Sequence, residues 1–379
     1  MTSAPDRLPL SASKKLVFAG VTLFLLLAVA EVVVRVTGAA ESCQSSYKDS
    51  PLWSCDPILS FKLKEGLAPA GRPLNRAGFR THEFAAKGRG AYRILALGDS
   101  CTFGMIVDKF FEYIGKPYPQ RLEEIAAEQV GAGRIEVLNA GMPGANSYYG
   151  VMLLRSKLRG LSPDLITVRY GWNDHLMSRG GQNGSAYREP EDALILHVQD
   201  LLLRTALYPF VWRLALDVQE LRHPYTKPTA ADIPKEWKPD VPLERYKRNL
   251  RRIAELGRAQ GAAVWFLTSP TAFVTDENRG QYDKFPTTMA ARLLINFSAI
   301  PSFERLIEIH DSYNAATREV AGELGVPVVD MDALYRQHAA AHLFGSTDVP
   351  HPTQEGHNLE AEALYARLVA EGIVSPVPR

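Results

Sequence analysis

Cysteine is scarce, with three in 379 residues, which excludes a scaffold built on disulfides. An excess of charge is also missing. Lys plus Arg number 43 and Asp plus Glu 42, for a formal net charge of +1 at pH 7. A protein built to coat nucleic acid carries a strong basic excess, so no nucleic-acid partner is expected. There is no His-Glu-x-x-His and no Cys-x-x-Cys. No metal site and no cofactor are expected on those grounds, and the His351/His357 pair is better explained by other roles. With 46% hydrophobic and 22% charged residues the composition is that of a globular protein. Bulk disorder, a collagen-like chain and a multi-span membrane protein are all excluded.

What is present first is one apolar run. Leu16 to Ala30 is fifteen residues without a charge, preceded by Arg7, Lys14 and Lys15 and continued by Val32, Val33, Val34 and Val36. As one helix, the 21 residues 16–36 would reach about 31 Å, enough to cross the hydrocarbon core. Glu31 and Arg35 stand four apart and can pair on one face. Positive charge on the N-terminal side predicts a short cytoplasmic segment over 1–15, a transmembrane anchor over 16–36 and an exported remainder. That places the body of the protein outside the cytoplasm, in the periplasm, on a single-pass anchor in the inner (cell) membrane. The alternative is a cleaved signal sequence, with Gly38-Ala39-Ala40 as the small residues for cleavage. Both readings export the chain, where a Cys43–Cys55 disulfide is permitted, two free thiols being the other outcome. Cys101 is left unpaired.

Residues 37–90 read as an irregular lead-in rich in Pro, Gly, Lys and Arg. From 91 onward short apolar runs alternate with helical periodicity. Strands are predicted over 92–97, 134–138, 165–170, 263–267 and 326–330, and helices over 118–130, 148–158, 241–261, 310–324 and 358–371. In the helix over 241–261, Tyr246, Leu250, Ile253 and Leu256 share one stripe, with Lys247, Arg248, Arg251 and Arg252 on a solvated face. This alternation implies right-handed βαβ units and a mostly parallel five-stranded sheet covered on both sides. Two segments, about 177–240 and 271–308, interrupt the rhythm after strands and read as insertions. The first carries a dense apolar stretch over 189–222. It is read as a helical hairpin packed on the domain, or as a lid, a partner surface or a face lying on the membrane.

Sites on such sheets lie beyond the carboxyl ends of the strands. The first strand runs into Gly98-Asp99-Ser100-Cys101, a turn that can present a serine hydroxyl and its own N–H. The second runs into Asn139-Ala140-Gly141-Met142-Pro143-Gly144. The third runs into Gly171-Trp172-Asn173-Asp174, where an amide can donate to an oxyanion. Ahead of the last helix, Asp348 stands three residues before His351 in a Pro-stiffened loop, so it can orient the imidazole. Thr353 is a candidate N-cap for that helix. A nucleophile, a base, an orienting acid and oxyanion donors are all supplied, as acyl transfer requires.

These blocks, in this order, resemble the SGNH superfamily of GDSL-type esterases and lipases, in its membrane-anchored bacterial form. Gly98-Asp99-Ser100, Asn139 with Gly144 five residues on, Gly171-x-Asn173-Asp174 and Asp348-x-x-His351 match its motifs. The resemblance implies a flavodoxin-like three-layer α/β/α sandwich. It also implies Ser100 as nucleophile, His351 as base and Asp348 as orienting acid. The oxyanion donors would be the N–H groups of Ser100 and Gly144 and the side chain of Asn173. Asp99, Trp172 and His175 are the further candidates to touch substrate. The implied activity is hydrolysis of a small-molecule or glycan ester through an acyl-enzyme. Two alternatives stand beside it: an O-acyltransferase or acetylesterase acting on cell-envelope polysaccharide, and a non-catalytic envelope protein. Cys101 departs from the apolar residue common at its position and is expected to pack under the turn. Asn75–Arg80 (NRAGFR) resembles a segment of membrane-anchored members and is expected to pack or to line the cleft.

Overall fold

The computed structural model describes residues 11–40, 50, 52–107, 111–176, 193–222, 237–272, 300, 303–338, 343–344, 348 and 350–375. The chain forms two compact units, one from residues up to 46, 55–58 and 190–224, the other from 47–54, 59–189 and 225–379.

The smaller unit contains α1 (Ala12–Thr37), α6 (Ala193–Leu202) and α7 (Leu207–Arg222). α1 has the length and apolarity to cross a membrane, with mean hydropathy 2.6 over its most apolar window. It ends at Gly38, in the left-handed conformation. Cys55 is disulfide-bonded and Cys101 is free, while Cys43 lies outside the described residues.

Two short strands, β1 (Trp53–Asp56) and β2 (Ser60–Leu63), occur in the lead-in. The larger unit then follows the alternation of its sequence. Its elements are β3 (Tyr92–Gly98), α2 (Ser100–Phe103), β4 (Met105–Val107), β5 (Phe111–Tyr113), α3 (Tyr118–Val130), β6 (Ile135–Gly141), α4 (Ser147–Arg155), β7 (Leu165–Arg169) and α5 (Trp172–His175). After the insertion come α8 (Leu243–Ala259), β8 (Ala263–Leu267), α9 (Phe303–Leu324), β9 (Val328–Val329), α10 (Met331–His338) and α11 (Gln354–Ala370). All five predicted strands form. The β4–β5 hairpin and α10 go beyond the periodicity, being too short or too local to mark it. α9 begins at Phe303, earlier than expected, and α11 at Gln354, where the Thr353 hydroxyl caps it by accepting from Gly356 N. Most of the second insertion, 273–299, lies outside the described residues.

The five-stranded sheet has the order β6-β3-β7-β8-β9, and every pairing is parallel. In chain order this is 2-1-3-4-5, the flavodoxin-like arrangement, whose order reverses between its first and third strands, β3 and β7. Alternate residues point to opposite faces. Ile94, Ala96, Trp265 and Leu267 pack with Tyr118, Leu122, Leu364 and Leu368 of α3 and α11. Tyr246, Leu250, Ile253 and Ala254 of α8 are buried at helical spacing. Each fully buried Leu or Ile among them contributes roughly 1.5–3 kcal/mol. On α8, Lys247 and Arg251 are not simply solvated: they pair with Glu319 and Glu323 of α9 at 2.7 Å each.

Three buried polar arrangements hold the frame. Arg169, at the end of β7, pairs with Glu360 of α11 at 2.8 Å with both side chains fully buried. Burial works against the Arg169 charge, yet Glu360 more than offsets it, so its pKa is raised. Tyr335 of α10 also donates to Glu360, at 3.0 Å. The second is Arg80. Its guanidinium donates to the carbonyls of Phe103 and Gly104 at 2.9 Å each, and to that of Ile114, closing the turn after α2. Burial lowers the Arg80 pKa to about 10. Asn75 folds the same segment on itself by accepting from Ala77 N and Phe79 N at 3.1 and 2.9 Å. Asn75–Arg80 is thus a packing element. The third is a histidine pair. His175 Nε2 lies 3.0 Å from His310 Nδ1, and His310 Nε2 donates to Ser269 O at 2.7 Å.

Two expectations follow. Arg169→Met strands a buried carboxylate, so thermal and urea unfolding should show a loss of roughly 3–5 kcal/mol. Adding Glu360→Leu should recover most of it; a single variant as stable as the parent would show that the pair carries no weight. Burial lowers the His310 pKa to about 4 and that of His175 well below the ordinary value. The unfolded chain therefore binds protons that these rings refuse, and stability should fall as pH drops from about 6.5 toward 4. His310→Gln, which cannot titrate, should flatten that fall in melting scans run across the window.

Candidate active site

The carboxyl ends of β3 and β7, on either side of the switch point, carry the first and third motifs. Gly98 closes β3. A Cβ there would stand 2.1 Å from the Thr102 hydroxyl and 2.8 Å from the Arg169 carbonyl, so only glycine lets the chain turn so sharply. Asp99 then caps α2, accepting from Cys101 N at 2.9 Å. This leaves Ser100 at the first helical position, partly exposed, above the sheet edge.

His351 and Asp348 approach from the loop before α11. His351 Nε2 is 2.7 Å from Ser100 Oγ, and His351 Nδ1 is 2.9 Å from each Asp348 carboxylate oxygen. An ionised carboxylate only accepts, so Nδ1 bears the hydrogen and Nε2 is left to accept from the Ser100 hydroxyl. Asp348 is 1% exposed and His351 8%. Burial disfavours the imidazolium, but Asp348 more than offsets this, and the His351 pKa is raised. The loop is also tied to α2 directly, because the buried Cys101 thiol donates to Pro350 O at 3.1 Å. Burial raises the Cys101 pKa well above its ordinary value, so it remains a thiol.

The second motif forms a tight turn beside β3. Met142 N donates to Gly98 O and Ala145 N to Met142 O, both at 3.0 Å. Pro143 and Gly144 occupy its centre, and Gly144 has φ +80, as a turn of this kind requires. Asn139 braces the turn, its amide donating to Thr102 O at 3.0 Å and its oxygen accepting from Gly141 N at 2.9 Å. Asn173 reaches the same turn, with Nδ2 donating to Ala145 O at 3.0 Å. An amide nitrogen has two hydrogens, so one remains. Asp174 is turned inward. Its carboxylate accepts from Ser147 N at 3.0 Å and Gly171 N at 3.1 Å, and from the Ser147 hydroxyl, which also accepts from Asn249 at 2.8 Å. Burial raises the Asp174 pKa to about 7.

The other three candidates are buried. Asp99 and His175 are 0% exposed and Trp172 2%. Trp172 donates to Pro270 O at 3.4 Å and stacks on His310 at 4.1 Å between centroids. Burial raises the Asp99 pKa. Among the described residues, no group of His, Cys, Asp and Glu side chains converges as metal ligands would.

Sequence reasoning missed an aromatic wall beside the Gly144 turn. Trp53 Nε1 donates to Pro143 O at 3.3 Å, and a Cβ on Gly144 would lie 3.7 Å from Trp53 and 3.8 Å from Phe61. Phe61 in turn packs on Tyr149 at 4.9 Å, and the Tyr149 hydroxyl donates to Phe61 O at 2.9 Å. The only trace in the sequence is two isolated aromatics in an irregular segment.

The chain resembles a lipase/acylhydrolase from Enterococcus faecalis at 16% identity, covering 76% of this chain and 100% of that one, with TM-score 0.42. It resembles an acetylxylan esterase from Geobacillus stearothermophilus at 16% identity, covering 76% and 99%, with TM-score 0.43. An α/β hydrolase from the metagenome of Lake Arreo, Spain, gives 17% identity, 77% and 99% coverage and TM-score 0.42. No curated protein matches the chain. The profile of the GDSL-like lipase/acylhydrolase family matches residues 96–359, from the heart of β3 into α11 and well over half the sequence. The chain belongs to that family, and it is a hydrolase acting on ester bonds.

Proposed function

We propose that the protein is a membrane-anchored serine esterase that works outside the cytoplasm through an acyl-enzyme. The observation that carries this reading is the unbroken line from Ser100 Oγ to His351 Nε2 and from His351 Nδ1 to Asp348, with 2.7 and 2.9 Å links. Ser100 attacks the ester carbonyl while His351 takes its proton. Asp348 holds the ring in the productive tautomer and stabilises the imidazolium that forms. His351 then gives the proton to the leaving alcohol. Water attacks the acyl-enzyme in a second round of the same transfers, releasing the acid and restoring the serine.

The tetrahedral oxyanion is held by the N–H groups of Ser100 and Gly144 and the free amide hydrogen of Asn173. The first N–H groups of a helix lack intrahelical acceptors, so that of Ser100 is open to a ligand. Asn173 is already held by Ala145 O at 3.0 Å, so the donor needs no rearrangement when charge develops. Asp99, Trp172 and His175 are given positioning roles, since each is buried and holds protein through one hydrogen bond, with Cys101 N, Pro270 O and His310 respectively. The Trp53 and Phe61 wall borders the place of the acyl or alcohol group.

The exported, single-pass topology is supported by the apolarity of α1, by Lys14 and Lys15 at its start, and by the disulfide at Cys55, which suits an oxidising compartment.

Fluorophosphonate labelling tests the nucleophile. Wild-type protein in the membrane fraction should label and Ser100→Ala should not; a Ser100→Ala variant that keeps wild-type esterase turnover would sink the mechanism. Asn173→Ala should lower kcat by roughly 10²- to 10³-fold with little change in melting temperature. Because His351 must be neutral to act as base and its pKa is raised, kcat/KM should fall on an acid limb above the ordinary histidine value of about 6.5. Asp348→Asn should move that limb to lower pH as well as slow turnover. A limb that stays in place would mean that Asp348 does not hold the base.

A further inference from the structure

The insertion helices present their apolar residues in an inverted way. On α6, Leu194, Ile195, Val198, Leu201 and Leu202 recur at the spacing of one helix face, and all are 40–72% exposed. A helix in a soluble domain buries such a stripe. α7 repeats the pattern, with Val211, Leu214, Val218 and Leu221 exposed. Exposed apolar faces of this extent mark an interaction surface.

The unit's own contacts say what covers them. Glu31 interrupts the apolar helix α1, and its carboxylate accepts from Ala206 N at 2.9 Å and Leu207 N at 2.8 Å, capping the start of α7. Arg35 bonds the same carboxylate at 3.1 Å and reaches Arg204 O at 3.4 Å. Further along, Arg213 donates to Ala39 O at 2.7 Å. Residues 206–207 therefore sit level with residue 31, and residue 213 level with residue 39. α7 climbs beside the C-terminal end of α1 in the same direction. α6 meets α7 at a bend of 103°, so it crosses the α1 axis at the level of Glu31. Glu31 stands where fifteen charge-free residues, about 22 Å of helix, have just ended. With α1 spanning a bilayer over 16–36, Glu31 lies five residues, about 8 Å, below the outer end of the span, at the depth of the headgroup and acyl boundary, and a helix crossing there lies in the membrane plane.

We infer that α6 is an interfacial helix. Its apolar stripe is sunk into the outer boundary of the bilayer that α1 crosses, and Glu31 tethers it there by capping α7. This rests on the reading of α1 as a membrane anchor, and the occupant of the stripe is lipid. The expected depth is that of amphipathic helices lying in the interface, roughly 5–10 Å into the headgroup and acyl boundary.

The test uses the full chain in phosphatidylcholine vesicles. An environment-sensitive fluorophore is placed at Leu25→Cys, Ile195→Cys or Val198→Cys, with the unsubstituted chain and its buried Cys101 as the blank. Lipids brominated near the glycerol end or near the chain terminus report depth, and aqueous iodide reports exposure to water. The Leu25 probe should be quenched best by terminal bromines. The Ile195 and Val198 probes should be quenched best by bromines near the glycerol and be shielded from iodide. Glu31→Ala should then expose the Ile195 probe to iodide and leave the Leu25 probe unchanged. If Leu25 is quenched by lipid while Ile195 and Val198 respond only to iodide, the interfacial helix is disproved and the anchor stands. If Leu25 also responds only to iodide, the anchor reading fails and takes this inference with it. An Ile195 probe indifferent to Glu31→Ala removes Glu31 as the tether.

Discussion

The buried ion pair between Arg169 and Glu360 is the constraint on which the hydrolase domain turns. A charge with no exposed surface is tolerated only if it is paired, and each member here has its principal counter-charge in the other. Arg169 ends the third strand of the sheet, and Glu360 lies in the second turn of the last helix. Their bond brings the C-terminal helix over the sheet, and with it the loop that carries Asp348 and His351. The Cys101 thiol on Pro350 O and the Tyr118 N–H on His357 Nδ1 fasten the same segment at two further points. The short links at Ser100 are the last in a series of buried contacts.

The parallel sheet was legible because parallel strands leave a strong trace: YRILAL, LITVRY and AVWFL are apolar on both faces, as strands covered on both sides must be. The helices between them were legible for the same reason, with Tyr246, Leu250 and Ile253 on one stripe. The candidate site was legible because its residues sit where strands stop, in turns whose glycines and prolines are forced by geometry. Gly98 has no room for a methyl, and the Pro143-Gly144 turn needs a positive φ. Local chemistry of that kind writes itself into a few adjacent letters.

What was not legible depends on partners far away in the chain. Arg80 looks like any surface arginine until the carbonyls of Phe103, Gly104 and Ile114 surround it. Trp53 and Phe61 fall in a segment with no periodicity, yet they stand against Gly144. Lys247 and Arg251 have the pattern of a solvated face, and only the neighbouring helix supplies Glu319 and Glu323. The apolar stretch over 189–222 reads first as a packed hairpin, with a lid, a partner surface or a membrane face as the alternatives, and the exposure of Leu194 and Val198 comes from the structure alone. The contact between Glu31 and the start of α7 joins residues 175 apart, which no sequence period records.

The bond between Ser100 and His351 spans 251 positions of the chain. The serine turn belongs to the first strand of the sheet, whereas the imidazole is delivered by the loop before α11. Until α11 docks, Ser100 has no imidazole beside it. Non-local contacts of this kind are also slow to form, because the long loop between them must be ordered first. The meeting of Ser100 and His351 is in this way a late event in folding, complete only once the whole domain has closed.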